Sequence, residues 1–206
     1  MCVDEKTGIQ ALERNAPTKP MRPGQVEKQE FEYTRHGTQT LIGNFEVATG
    51  QVIAPTVQQT RDEDDFARHI EQTIATDPAA GWIFVADNLT THCSATLVLM
   101  VAGLCGIAAA ALGKKGKSGV LRSVSTRKAF LMDASHRVRF VYVPKHTSWL
   151  NQVEIWFSVL ARRVLRRGNF RSTDDLRQKI LAYIAYYNRT RAKPYKWTYT
   201  GRPLNT

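Results

Sequence analysis

Three acidic residues far apart in the chain stand where carboxylates can do chemistry: Asp4, Asp87 and Glu154. Asp4 follows the apolar opening Met1-Cys-Val3, and Asp87 closes the apolar run Gly81-Trp-Ile-Phe-Val-Ala86. Glu154 lies among apolar and aromatic residues in Pro144-Lys-His-Thr-Ser-Trp-Leu-Asn-Gln-Val-Glu-Ile-Trp-Phe157. A Glu in that company needs a partner, because a buried carboxylate without one is costly. Brought together, three carboxylates form an all-oxygen donor set suited to Mg²⁺, which takes one or two of them, keeps waters and accepts substrate phosphate oxygens. Two such ions about 3.5–4 Å apart support displacement at a phosphodiester, one activating the nucleophile and the other stabilising the leaving oxygen. Each acid also has a plain structural alternative: Asp4 in a frayed terminus, Asp87 capping the following helix, Glu154 paired with an arginine.

The elements that must position these acids follow from hydrophobic patterning. Residues 1–4 read as the stub of a strand, followed by a polar connection punctuated by Pro17, Pro20 and Pro23. Residues 40–47 and 51–57 flank Ala48-Thr-Gly50 as a hairpin, and Pro55 marks the second strand as an edge. Phe66, Ile70 and Ile74 predict a helix over 61–76, with Asp62, Glu63, Asp64 and Asp65 complementing its dipole rather than holding a metal. The run 81–86 reads as a strand buried on both faces, so Asp87 sits at a strand C-terminus, where open α/β sheets place ligands. An apolar helix is expected over 95–113, then a flexible basic loop from Gly113 to Gly119, and a strand over 139–143 stopped by Pro144. Leu150, Val153, Phe157, Leu160 and Val164 predict a helix over 148–167 with Glu154 at the edge of its apolar stripe. A last helix starts near Ser172, with Asp175 completing a capping-box-like pattern. No internal repeat is present.

At 206 residues and 43% hydrophobic, the chain suits one packed domain. Its net charge of +11 is uneven: residues 113–171 carry 14 Lys and Arg against Asp133 and Glu154 alone, whereas residues 1–112 are net acidic. A basic half beside an acidic one suggests a polyanion partner, nucleic acid above all, with cations held on the acidic side. Cys2, Cys93 and Cys105 form no C-x-x-C pair and read as packing residues in a reducing cytosol. Early charges at Asp4, Glu5 and Lys6 argue against a signal peptide, and the alanines and glycines of 95–113 favour a buried helix over a membrane span.

Two rival chemistries are weaker. Ala111-Leu-Gly-Lys-Lys-Gly-Lys-Ser118 approaches a phosphate-loop pattern, but it lacks the first Gly and follows a helical run instead of a strand. His92, Cys93, His136 and His146 have no zinc-ligand spacing.

The chain resembles the catalytic domain of mariner-type bacterial insertion-sequence transposases, a DDE endonuclease similar to ribonuclease H and retroviral integrase. The resemblance runs from Val3-Asp-Glu-Lys-Thr-Gly-Ile-Gln-Ala-Leu12 to Trp197-Thr-Tyr-Thr-Gly-Arg-Pro203. It places the three family acids on Asp4, on Asp87 of the Asp87-Asn88 pair with Thr91-His92 after it, and on Glu154 of Ser148-Trp-Leu-Asn-Gln-Val-Glu-Ile-Trp-Phe157. The interval from Asp87 to Glu154 is longer than the family's common arrangement, with a basic insertion near 113–128. No N-terminal helix-turn-helix region precedes Asp4.

The resemblance implies a single α/β domain over 1–206, a ribonuclease-H-like mixed sheet flanked by helices. It further implies Mg²⁺, with Mn²⁺ as substitute, held by Asp4, Asp87 and Glu154. The expected activity is cleavage of transposon ends in double-stranded DNA, then strand transfer to a target. Lys145, His146, Trp149, Asn151, Arg162, Arg163, Arg166 and Arg167 would contact DNA, and Trp156 would either stack on bases or fill the core. Partners would include a second copy or an intact transposase, and no membrane, in the bacterial cytosol at the nucleoid. The alternative is a catalytically incomplete remnant that binds DNA without cleaving it.

Overall fold

The computed structural model describes residues 1–144, 147 and 150–195. Five strands form one mixed sheet in the order β3-β2-β1-β4-β5. β1 (Cys2–Arg14), β2 (Tyr33–Glu46) and β3 (Gln51–Gln58) are antiparallel neighbours, while β4 (Trp82–Ala86) and β5 (Val138–Tyr142) run parallel to β1. Helices α1 (Glu63–Ile74), α2 (Ala95–Leu104) and α3 (Val124–Leu131) cover one face, packing Phe66, Ile70, Leu97, Val101 and Leu131 onto Val3, Ile42, Phe84 and Phe140. Helices α4 (Val153–Leu160) and α5 (Thr173–Thr190) cover the other, packing Trp156, Phe157, Leu176 and Ile180 onto Cys2, Leu41, Phe45 and Val52. Each fully buried large side chain contributes about 1.5–3 kcal/mol. The expected ribonuclease-H-like mixed sheet with helices on both faces is the architecture observed.

Several expectations change in detail. β1 is no stub: after a bulge at Gly8, φ +63°, it runs on to Arg14 beside the first half of β2, with Ile9 and Ala11 buried and a second register shift between Gln10 and Leu12. The bulge breaks the two-residue alternation on which a sequence reading depends. β4 is buried on one face only, with Ile83 44% exposed on the other. The apolar run 95–113 is interrupted, because α2 ends at Leu104 and Gly106 turns at φ +71°. Among the described residues, no helix is long and apolar enough to cross a membrane. The basic segment after it is an ordered turn bridged between Lys114 and Ser118, and 124–131 is a helix that scattered apolar residues did not announce.

β3 is the expected edge strand, and beside Pro55 the backbone of Ala54 turns to φ +44° at a bulge opposite β2. A buried network on α1 braces it. Asn44 donates through Nδ2 to His69 Nε2 at 2.7 Å and to Thr73 Oγ1 at 2.6 Å, and His69 Nδ1 lies 2.8 Å from Thr56 Oγ1. Burial holds His69 down at about 3, so it packs as the neutral ring this network requires. Glu63, Asp64 and Asp65 stand in the first turn of α1, where they complement its dipole, but Asp62 and Asp65 also form a capping box that buries Asp65.

Candidate active site

Alternation along β1 sends Asp4 and Glu5 to opposite faces. Asp4, in phase with Cys2, lies on the α4 side; Glu5, in phase with Val3, lies among α1 and the turn after β4. The strands beside them part at this level. β1 and β4 share one ladder position, Cys2 with Val85. Asp4 and Asp87 each stand two residues beyond it. Between them the carbonyl of Val3 accepts from Asn151 Nδ2 at 2.9 Å, so the start of α4 takes the place a continuing ladder would have used.

Gly43 lies opposite Asp4 in the β1–β2 ladder, and a Cβ there would come within 3.1 Å of Phe157. Its hydrogen lets α4 settle onto the sheet with Val153, Trp156, Phe157 and Leu160 buried and Glu154 projecting to solvent. The acid that the sequence marked as enclosed is therefore exposed, and the enclosed one is Asp4, at 7% exposure.

Burial pushes the Asp4 carboxyl up to about 7, opposed by the Glu5 N–H that donates to its Oδ1 at 2.7 Å and reinforced by the charges of Asp87 and Glu154. Asp87 is held below the usual carboxylate range, chiefly by His92, against its own desolvation, with the Leu89 N–H and Lys128 also favouring the anion. His92 is fully buried. Burial alone would lower its pKa, but Asp87 and Glu5 outweigh that and raise it to about 9. Its Nδ1 lies 2.7 Å from Asp87 Oδ1 and its Nε2 3.7 Å from Glu5 Oε1. Among the described residues neither ring nitrogen has an aligned hydrogen-bond partner, although Asp87 stands within hydrogen-bonding distance of Nδ1.

The donor set, all carboxylate oxygen, has the chemistry of a hard divalent cation site that draws further ligands from water and phosphate. Among the described residues, no three His, Cys, Asp or Glu side chains are close enough to form a metal cage by themselves. Asp62 and Asp65 are spent on capping α1, and Glu63 pairs with Lys115.

The family model described as DDE superfamily endonuclease matches residues 1–177, most of the chain. The chain belongs to that family. No curated protein matches it. For a DDE superfamily endonuclease, the mixed sheet flanked by helices is the consistent fold, and nuclease chemistry of the transposase type is the consistent activity.

Within this endonuclease, the sequence-derived DNA contacts fall into three groups. Arg162, Arg163, Arg166 and Arg167 are exposed and, with Gln29, line a cavity of about 630 Å³. They fan out because α4 runs into a π turn, Ala161–Leu165, where the Arg166 N–H bonds the Ala161 carbonyl five residues back. Asn151 is a correction: it is fully buried and anchors α4 to Val3, so it does not face a DNA strand. Lys145, His146 and Trp149 lie outside the described residues. Trp156 belongs to the core.

Sequence reasoning missed Glu5, Lys128 and the setting of His92. Lys128 Nζ donates to Asn88 Oδ1 and lies over the Tyr142 ring. The repeated acid in Asp4-Glu5 was the available signal, since a strand cannot present both to the same side.

Proposed function

We propose that this endonuclease cleaves DNA at transposon ends and joins the freed 3′ hydroxyl to target DNA, using Asp4, Asp87 and Glu154 as the metal-binding acids. The observation that carries the reading is the placement, in a chain of the DDE family, of the buried Asp4 and of Asp87 each two residues past the ladder position that pairs β1 with β4. An Asp buried beside two other acids is poised to exchange its proton for a divalent cation. Mg²⁺, or Mn²⁺ in its place, would supply nucleophile activation and neutralisation of the leaving oxygen. Asp4 and Asp87 would hold it at the parted strand ends, and Glu154 would close the donor set from α4. Arg162, Arg163, Arg166 and Arg167 would take DNA phosphates, adding affinity without reading sequence. A second copy or an intact transposase would share the DNA ends.

The test is nicking of supercoiled plasmid in Mg²⁺ or Mn²⁺ beside Glu154→Gln and a chelator control. Nicking is expected to fall at least 100-fold in the variant, the order of loss for a charge acting directly on the transition state, and to vanish with chelator. The spacing of the acids favours one rival, a remnant that binds DNA without cutting it, because they form no cage alone. Salt-sensitive DNA binding without any nicking would establish that rival.

A further inference from the structure

Cys2 with Val85 is the one ladder position that pairs β1 with β4, so the ladder does not fix how far Asp4 stands from Asp87. Something else must span the gap. On the α1 face, beneath both acids, lies His92, wholly buried, with Asp87 at 2.7 Å on one side of its ring and Glu5 at 3.7 Å on the other. Glu5 is bonded through its N–H to Asp4, and its own carboxylate, 2% exposed, has no hydrogen-bond partner on either oxygen among the described residues. Its nearest cations are His92 and Arg61, the latter at 3.8 Å.

Three elements fix His92 itself. Its ring packs on Phe66 of α1, centroids 4.2 Å apart; its carbonyl accepts from the Tyr142 hydroxyl of β5 at 2.7 Å; and the neighbouring Cys93 carbonyl accepts from Arg127 Nε of α3 at 2.7 Å. A ring pinned in this way cannot follow Asp87; Asp87 must follow the ring.

We propose that Glu5 and His92 are positioning residues, a rigid strut that sets Asp87 at the correct distance from Asp4 across the parted strands and leaves the Asp87 oxygen not facing the ring for a divalent cation. The strut rests on the reading of Asp4 and Asp87 as metal-binding acids. Partners of this kind set the orientation of metal-binding carboxylates, and their removal costs about 10- to 100-fold in metal affinity or activity.

The test measures Mn²⁺ binding by electron paramagnetic resonance, and separately the Mn²⁺ dependence of nicking, for the full chain and for His92→Ala, His92→Asn and Glu5→Gln. His92→Asn keeps a short donor toward Asp87, and Glu5→Gln keeps the shape without the charge. Expected is a weakening of Mn²⁺ affinity by about tenfold or more in His92→Ala, partial recovery in His92→Asn, an intermediate loss in Glu5→Gln, and unchanged affinity for DNA in all three. Should His92→Ala fail to fold, the two conservative variants carry the comparison. Mn²⁺ affinities within twofold of the wild type in folded variants would overturn the strut. Wild-type Mn²⁺ binding without nicking would overturn the nuclease reading while the affinities still judge the strut; no wild-type binding would overturn both.

Discussion

Asp4 costs the fold stability at the pH where it would work. Its carboxyl sits at about 7, above the ordinary Asp value of about 4, so the folded chain holds that proton more tightly than the unfolded chain does. The contribution to stability is therefore fully present below about pH 4 and is lost as pH rises through about 7. Asp4→Asn is expected to raise stability at pH 8 by on the order of 1–3 kcal/mol and to change it little near pH 4. Urea midpoints at the two pH values check this. A cation held by the acids should offset the same cost in the wild type, so added Mn²⁺ should raise the pH 8 midpoint of the wild type and not that of the variant.

The residues least legible in the sequence were those whose meaning depends on distant partners. Asp4, Asp87 and Glu154 announced themselves through the apolar runs beside them. Glu5 and His92, 87 positions apart in the chain, meet only because β1 and β4 are neighbours in the sheet, which no local pattern reports. Asn151 misled for the same reason: no residue near it in the chain reports that its amide bonds the backbone of β1.

Among elements, α4 determines whether Glu154 reaches the site, and Gly43 determines where α4 lies. Its backbone needs no special conformation; what matters is the missing side chain against Phe157. Gly43→Val is expected to destabilise by about 1–3 kcal/mol through overpacking. It should also reduce nicking more than tenfold by lifting Glu154 away from Asp4, while DNA binding persists. Thermal unfolding and plasmid nicking measured on the same preparation check both parts. The helical stripe of α4 was legible because Val153, Phe157 and Leu160 recur at helical spacing, and α1 and α5 were legible from the same period and their caps. The far half of β1 was not, because Gly8 shifts its register, and α3 was not, because of its eight residues only Leu131 is buried.

At the scale of the molecule, the proposed function makes the arginines in and just after the π turn a phosphate-binding surface whose strength would depend on ionic strength. Each phosphate contact removed lowers the slope of log affinity against log salt by about 0.9 for duplex DNA. Arg162→Ala combined with Arg166→Ala should therefore flatten the slope by about two without altering preference among duplex sequences. Fluorescence anisotropy across a salt series measures it.

The Asn151 clamp on Val3 also bears on synthesis. Asp4 emerges from the ribosome well before Glu154, and α4 can dock on β1 only after its own residues are out. A nascent chain with all five strands exposed holds two of the three acids and lacks the helix that brings the third. Under the proposed reading, translation itself then acts as the safety catch: a stalled or truncated product that ends before α4 lacks both the third acid and the helix that covers that face of the sheet, and cannot cut DNA.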